Sequence, residues 1–290
     1  MTNQDKSIIA KEMFRLAGDG KKRKDVTFKY SQVGLSNKLG ISNAYVSNMI
    51  GGKWDNISDA MWRKVQAILR IDFDWNIAPT FNYIEITKLL EKSKKEKLTV
   101  GISYNAGAGK SQAYIDFDRL NHNVIYVECK NYWKTKSYAK NLLNVAGLES
   151  DGTLEEMVDT FINHVMGLEN PVIIIDQMDK LKDGAFDLFM DMYNDLFRCC
   201  SFFVSGVPAL KKRILRGAKN DKIGYREVYS RLHRIFISLE ELDLEDVRAI
   251  CQANGITDEE QISLIFNQCE GDLRVVRKQV KKYFILQEAV

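Results

Sequence analysis

The chain has 290 residues, 45% of them hydrophobic and 28% charged, with a formal net charge of +3. This is the composition of an ordinary folded chain with room for two cores. It excludes a low-complexity or repeat architecture, and no apolar run is long enough for a membrane-spanning helix or a signal peptide. Charge is uneven: residues 1–75 hold 13 Lys and Arg against 8 Asp and Glu, which leaves the remainder slightly acidic. The five cysteines, Cys129, Cys199, Cys200, Cys251 and Cys269, form no C-x-x-C pair. They signal neither a zinc site nor a disulfide framework, and a reducing cytoplasm fits.

Residues 1–75 alternate helical patterns with short polar turns and read as a small all-helical domain. Within it, residues 31–38, the turn Leu39-Gly40-Ile41-Ser42 and residues 43–50 have helix-turn-helix form. Leu35, Ile41, Val46 and Ile50 have the spacing to pack two short helices, and Gly40 can take a positive φ in the turn. Ser42, Asn43, Tyr45, Ser47 and Asn48 then face outward, as hydrogen-bonding side chains do on a helix that reads a DNA groove. The basic run Lys21, Lys22, Arg23 and Lys24 is a candidate for phosphate contact. A helical bundle that mediates protein contacts is the plainer alternative.

A linker is expected over 71–79, and an amphipathic helix over 81–92, where Ile84, Ile86, Leu89 and Leu90 can share a face. Apolar runs of strand length follow at 98–103, 124–127, 172–175, 201–204 and 235–239. Helical patterns separate them, which is the signature of a parallel sheet. From 243 onward only helices are expected.

The first strand runs into Tyr104, Asn105, Ala106, Gly107, Ala108, Gly109, Lys110 and Ser111, with a helix starting near Gln112. Glycines let backbone N–H groups curl around phosphate oxygens, and the helix N-terminus adds positive potential. Lys110 would reach the β- and γ-phosphates of ATP, and Ser111 would bind Mg²⁺. The complete phosphate-loop pattern has glycine where Tyr104 stands. The strand at 172–175 ends in Asp176, a carboxylate suited to the Mg²⁺ water shell. The next position, where a Glu would polarise the attacking water, holds Gln177. An amide can orient water but cannot take its proton, so hydrolysis is expected to be slow. Asp179 is the nearest alternative base.

Ser205, after the strand at 201–204, is a candidate sensor of the γ-phosphate or the lytic water. Arg231 is placed to be offered to a neighbouring subunit's nucleotide, with Arg234 a second candidate and a surface ion pair the plainer reading. Arg274, within Gly271-Asp272-Leu273-Arg274, is placed to reach back to the phosphates from a helical lid. The expected architecture is α/β. An AAA+ P-loop domain with a parallel sheet spans 76–240 and a C-terminal helical lid spans 241–290. A small all-α helix-turn-helix domain over 1–75 precedes them.

Taken in order, these features resemble the phage Mu B transposition protein family of AAA+ ATPases. The resemblance is carried by Thr27-Phe28-Lys29, Leu39-Gly40-Ile41-Ser42, residues 105–111, residues 173–181 and Arg231-Leu232-His233-Arg234-Ile235. The Gly271-Asp272-Leu273-Arg274 segment is more like the replication-initiator branch of the same superfamily. The resemblance implies ATP and Mg²⁺ binding, ATP hydrolysis and self-assembly into helical filaments on double-stranded DNA with little sequence specificity. It further implies selection of target DNA and stimulation of a DDE-type transposase, in a bacterial cell or phage-infected host. Basic residues of the ATPase domain would face the filament axis, and Lys130, Lys134 and Lys136 are the candidates. A replication initiator or helicase loader shares these motifs. An ATP-gated DNA-binding scaffold with little turnover is the reading that Gln177 favours.

Overall fold

The computed structural model describes residues 1–21, 26–232 and 236–288. Of the residues named above, Lys22, Arg23, Lys24, His233, Arg234 and Ile235 lie outside the described residues. Four helices come first: α1 (Asn3–Ala17), α2 (Gln32–Leu39), α3 (Asn43–Ile50) and α4 (Asp59–Leu69). Caps set their ends. Thr2 and Asp5 form a capping box on α1, and Ser31 and Ser42 accept from Gly34 N–H and Tyr45 N–H at the starts of α2 and α3. Gly40 closes α2 in the left-handed conformation, with φ of 57°. The four helices meet in a core that includes Ile9, Met13, Leu35, Val46, Trp62 and Val65. Met49 is the fully buried partner of Val46 on α3, whereas Ile41 and Ile50 pack only at the edge of this core.

The helix α5 (Phe81–Glu96) runs one turn past the expected 92 and ends at Lys97, which takes a left-handed conformation. The sheet region then follows as β1 (Val100–Ser103), α6 (Lys110–Leu120), β2 (Val124–Glu128), α7 (Thr135–Ala146), α8 (Leu154–Met166), β3 (Val172–Asp176), α9 (Asp183–Leu196), β4 (Ser201–Gly206), α10 (Pro208–Lys219) and α11 (Tyr225–Arg231). The four strands are parallel, in the order β1-β4-β3-β2. A parallel sheet must be covered on both faces. Here Ile86, Leu90, Tyr114 and Phe117 of α5 and α6 cover one face, and Leu142, Phe161, Phe189 and Leu210 cover the other. All five residues of β3 are buried, which is why its sequence is continuously apolar before Asp176. The run at 235–239 is not a strand among the described residues. Ile237 makes one isolated parallel bridge to Ile102 beyond the β1 edge, its N–H donating to Gly101 O at 2.8 Å.

Helices α12 (Leu244–Ala253), α13 (Glu259–Cys269) and α14 (Leu273–Glu288) bury Val247, Ile250, Ile262, Val276 and Val280 against one another. Ala78, from the stretch read as linker, joins that core. Asn76 N donates to Asn254 Oδ1 and Asn254 Nδ2 donates back to Asn76 O, both at 2.9 Å. The segment before α5 is therefore pinned to the lid.

The N-terminal helices dock on the sheet region through α2 and α7. A Cβ added at Gly147 would stand 3.0 Å from Gly34 O, so glycine lets the two backbones touch. Beside this contact Lys29 Nζ lies 2.6 Å from Asp118 Oδ1 on α6, and Lys38 Nζ lies 3.4 Å from Asp118 Oδ2. All three side chains are almost sealed from water, so the removal of one would strand the others.

Candidate nucleotide site

The carboxyl ends of the strands, where parallel sheets hold ligands, carry the phosphate-binding candidates. Gly107 and Gly109 take φ of 85° and 82°, values that side-chain-bearing residues rarely adopt. A Cβ at Gly107 would also stand 2.2 Å from Asp272 Oδ1. Gly109 is the N-cap of α6 and offers no side chain to its first-turn N–H groups, leaving them directed at the loop. The helix begins at Lys110, two residues before the expected start. Lys110 Nζ donates to the carbonyl oxygens of Tyr104 and Asn105 at 2.8 and 2.7 Å. Burial pulls its pKa below the ordinary lysine value, while Asp176 and Asp179 act the other way. Tyr104 has no positive φ, so the glycine of the full pattern is not needed there for backbone freedom.

Across the loop, Ser111 Oγ donates to Asp176 Oδ2 at 2.6 Å. Asp176 Oδ1 accepts from Gln177 N–H at 2.8 Å. Burial raises the Asp176 pKa, and the bonds from Ser111 and Gln177 N–H oppose the rise. A buried carboxylate of this kind gains from a cation beside it. Two hard oxygen donors side by side, hydroxyl and carboxylate, fit Mg²⁺. Gln177 lines the same cleft in a left-handed conformation (φ 55°). Its Nε2 donates to Glu128 Oε1 at 3.0 Å and its Oε1 accepts from Lys180. Asp179 also lines the cleft and accepts from Val207 N–H at 3.1 Å.

The cleft encloses about 540 Å³, within the usual range for a small-molecule site. Its far wall is the lid: Leu273 N–H donates to Gly107 O at 3.0 Å. Arg274 lines the cleft, with its guanidinium closed on Asp272 at 2.6 Å. Trp75, Ile77, Thr80 and Tyr83 complete the apolar side. None of these four stands out in the sequence as a site residue, although a tryptophan in a short linker was a usable signal.

Residues 102–214 match the family model described as AAA domain. The fold is that of the AAA+ P-loop domains, with a helical C-terminal region. Two solved structures from Thermotoga maritima resemble the chain: the RuvB Holliday junction branch migration motor, at 14% identity and a TM-score of 0.44, and a RuvB mutant, at 15% and 0.42. Each match covers 69% of this chain and 60% of the other, so the chain spans under two thirds of the length of either. No curated protein matches.

The other candidates are spread more widely. Ser205 is fully buried and does not line the cleft. Its hydroxyl faces Asp176 and Tyr114 without closing a hydrogen bond of good geometry. That location suits support of Asp176 from behind rather than contact with a phosphate. Arg231 also stands away from the cleft of its own chain. It pairs with Glu227 and Asn194, and its guanidinium lies 4.8 Å from the centre of the Tyr193 ring. On α3, Asn43, Ser47 and Asn48 are exposed, Ser42 is exposed but occupied as a cap, and Tyr45 is half-buried against the helical core. Lys134 and Lys136 are exposed at the start of α7. Lys130 is not available in the same way, because it pairs with Glu128 at 2.6 Å. No helix of the described residues is long and apolar enough to cross a membrane.

Proposed function

We propose that this chain is an ATP-dependent DNA-binding protein that assembles on double-stranded DNA, selects target DNA and stimulates a DDE-type transposase. The observation that carries the reading is the Ser111–Asp176 pair facing Lys110 across a two-glycine loop, in a chain whose basic first quarter presents the exposed polar face of α3. The loop N–H groups and Lys110 hold phosphates. Ser111 and Asp176 hold Mg²⁺, which offsets phosphate charge when bound. Asn105, Ala106, Ala108 and Gln112 complete the phosphate cradle. Arg274 approaches from the lid, and Arg231 serves a neighbouring subunit. Exposed Lys134 and Lys136 take DNA phosphates whatever the base sequence.

A second reading, an ATP-gated DNA-binding scaffold with little turnover, is favoured by Gln177, whose amide is held at both ends by Glu128 and Lys180. Lys110→Ala tests what the two readings share. The variant should lose binding of a labelled ATP analogue and, with it, ATP-dependent retention on duplex DNA. A folded variant that binds ATP like the parent removes the site from this loop.

A further inference from the structure

A second concentration of positive charge lies far along the chain from the basic first quarter. Residues 208–226, which form α10 and the start of α11, hold seven Lys and Arg against one acidic residue, Asp221. Leu210, Ile214 and Gly217 bury one side of α10. Lys211, Lys212, Arg216 and Lys219 stand exposed on the rest of the helix, and among the described residues none of the four pairs with a carboxylate. Lys212, Arg216 and Lys219 follow one another at four and three residues, so they share one face over about 10 Å. Like charges at that spacing destabilise a helix unless an anion answers them.

The ground under this row is rigid. A Cβ at Gly217 would stand 2.2 Å from the Tyr225 ring, so glycine lets α10 and α11 close on each other. Tyr225 stacks on Phe186 with ring centres 4.9 Å apart. Arg213 lies over the Phe186 ring at 4.5 Å and donates to the Tyr225 hydroxyl at 3.1 Å. The result is a groove of about 460 Å³ lined by Lys212, Arg213, Arg216, Asn220 and Lys222. Its one carboxylate among the described residues, Asp183, already pairs with Arg213 and Lys222, both at 2.8 Å. An anion that enters the groove therefore meets free positive charge at Lys212 and Arg216. Beside Asp183, a Cβ added at Gly184 would stand 2.9 Å from Thr135 Oγ1, so the groove borders the turn that carries Lys134 and Lys136. The N-terminal helices are not part of it. They dock on α6 and α7, whereas the start of α10 is tied to β1, with Lys211 N–H donating to Ser103 Oγ at 3.3 Å.

We infer that the exposed face of α10 holds the phosphate backbone of duplex DNA through Lys212, Arg216 and Lys219, independently of α3. The inference rests on the reading above, in which the chain binds duplex DNA. Each strand of a duplex carries one phosphate per about 3.4 Å of axis, so a row of about 10 Å faces about three phosphates of one strand. Cations on a fixed helix answer that repeating charge and read no base. The acidic lid of a second copy is a poorer match. There Glu245 and Glu259 pair with Arg248, Asp272 pairs with Arg274, and Asp246 is buried and accepts from Phe81 N–H.

The test uses the full chain with a non-hydrolysable ATP analogue, Mg²⁺ and duplexes of unrelated sequence. Bound DNA should protect Lys212 and Lys219 from acetylation, read by mass spectrometry against Lys88, which is exposed on α5. Lys212→Ala with Arg216→Ala and Lys219→Ala should flatten the slope of log K against log salt by about 2.7, at about 0.9 per phosphate, whatever the duplex sequence. Affinity for ATP should stay at the parent value. The loss should add to that from Lys134→Ala with Lys136→Ala, and should persist when Asn43→Ala and Asn48→Ala remove the polar face of α3. Lys212→Arg with Arg216→Lys should keep the parent slope. Protection that appears with the nucleotide analogue alone and does not grow with DNA assigns the face to a second copy and overturns the inference. An unchanged slope in the folded triple variant, with a parent that binds duplex, overturns the inference alone. A parent that binds no duplex removes the reading beneath it as well.

Discussion

Replacing Gln177 with Glu places a second carboxylate where the amide now donates to Glu128 at 3.0 Å. Two unit charges at that separation repel by about 5 kcal/mol at an effective dielectric of about 20. Lys180 on one side, and Arg70 and Lys130 on Glu128, offset part of this, so the fold should survive. The easiest relief is a rotation in which the new side chain keeps Lys180 and swings from Glu128 towards the cleft. A carboxylate there can take the proton of water, as an amide cannot. Positioned acid–base groups contribute about 10²–10⁴-fold, and we expect about 10- to 100-fold here because the rotated group lacks a partner to fix it. The assay is phosphate release at saturating ATP, Mg²⁺ and duplex DNA, with the lifetime of DNA-bound assemblies followed in parallel. Turnover should rise and lifetimes shorten. A parent that already hydrolyses ATP quickly, and a variant that matches it, would refute the reasoning and move the base to Asp179.

Binding to DNA should fall steeply with salt and vary little with sequence. Lys134→Ala with Lys136→Ala should flatten the slope of log K against log salt by about 2, close to 0.9 for each phosphate that is no longer neutralised; an unchanged slope takes these lysines off the DNA. Burial opposes ionisation of Asp118, but Lys29 and Lys38 outweigh it and hold its pKa below the usual carboxylate value. A folded pKa below the unfolded one gives stability that is present above about pH 4 and is lost as pH falls through the folded value. Asp118→Asn should cost about 3–5 kcal/mol near neutral pH and flatten the fall in Tm on acidification; parallel acid limbs for parent and variant would contradict the buried pairing. Arg231→Ala subunits should bind ATP yet fail to assemble, and mixing them with Lys110→Ala subunits should restore some hydrolysis. No recovery at any ratio, with both variants folded, leaves Arg231 with its pairing to Glu227 and Asn194 and its packing on Tyr193 and Phe197.

The candidate cleft was legible where chemistry is local. The residues of 104–111 are contiguous, the loop needs glycines at 107 and 109, and the buried strand before Asp176 is continuously apolar. Helix α3 was legible for a similar reason, since its cap at Ser42 and its buried Val46 are close in sequence. What escaped depends on register and docking. That Glu128 meets Gln177 follows from β2 lying beside β3, which no local pattern states. Trp75 and Ile77 enter the cleft because Asn76 and Ala78 pin the preceding segment to the lid, and the bond from Asn76 to Asn254 spans 178 residues. Lys130 looked like a free cation in sequence, and only the fold puts Glu128 within its reach. Ser205 stands at the end of β4, where the sequence puts it, but that its side chain is buried beside Asp176 and does not line the cleft is a matter of packing.

The central claim, that ATP governs assembly of this chain on duplex DNA, is tested most directly by electron microscopy of the full chain with long duplex DNA, Mg²⁺ and either ATP, ADP or no nucleotide. The account expects continuous protein filaments on the DNA with ATP alone, absent for Lys110→Ala. Protein that binds ATP but decorates DNA equally in all three conditions, or stays off it in all three, would contradict the claim.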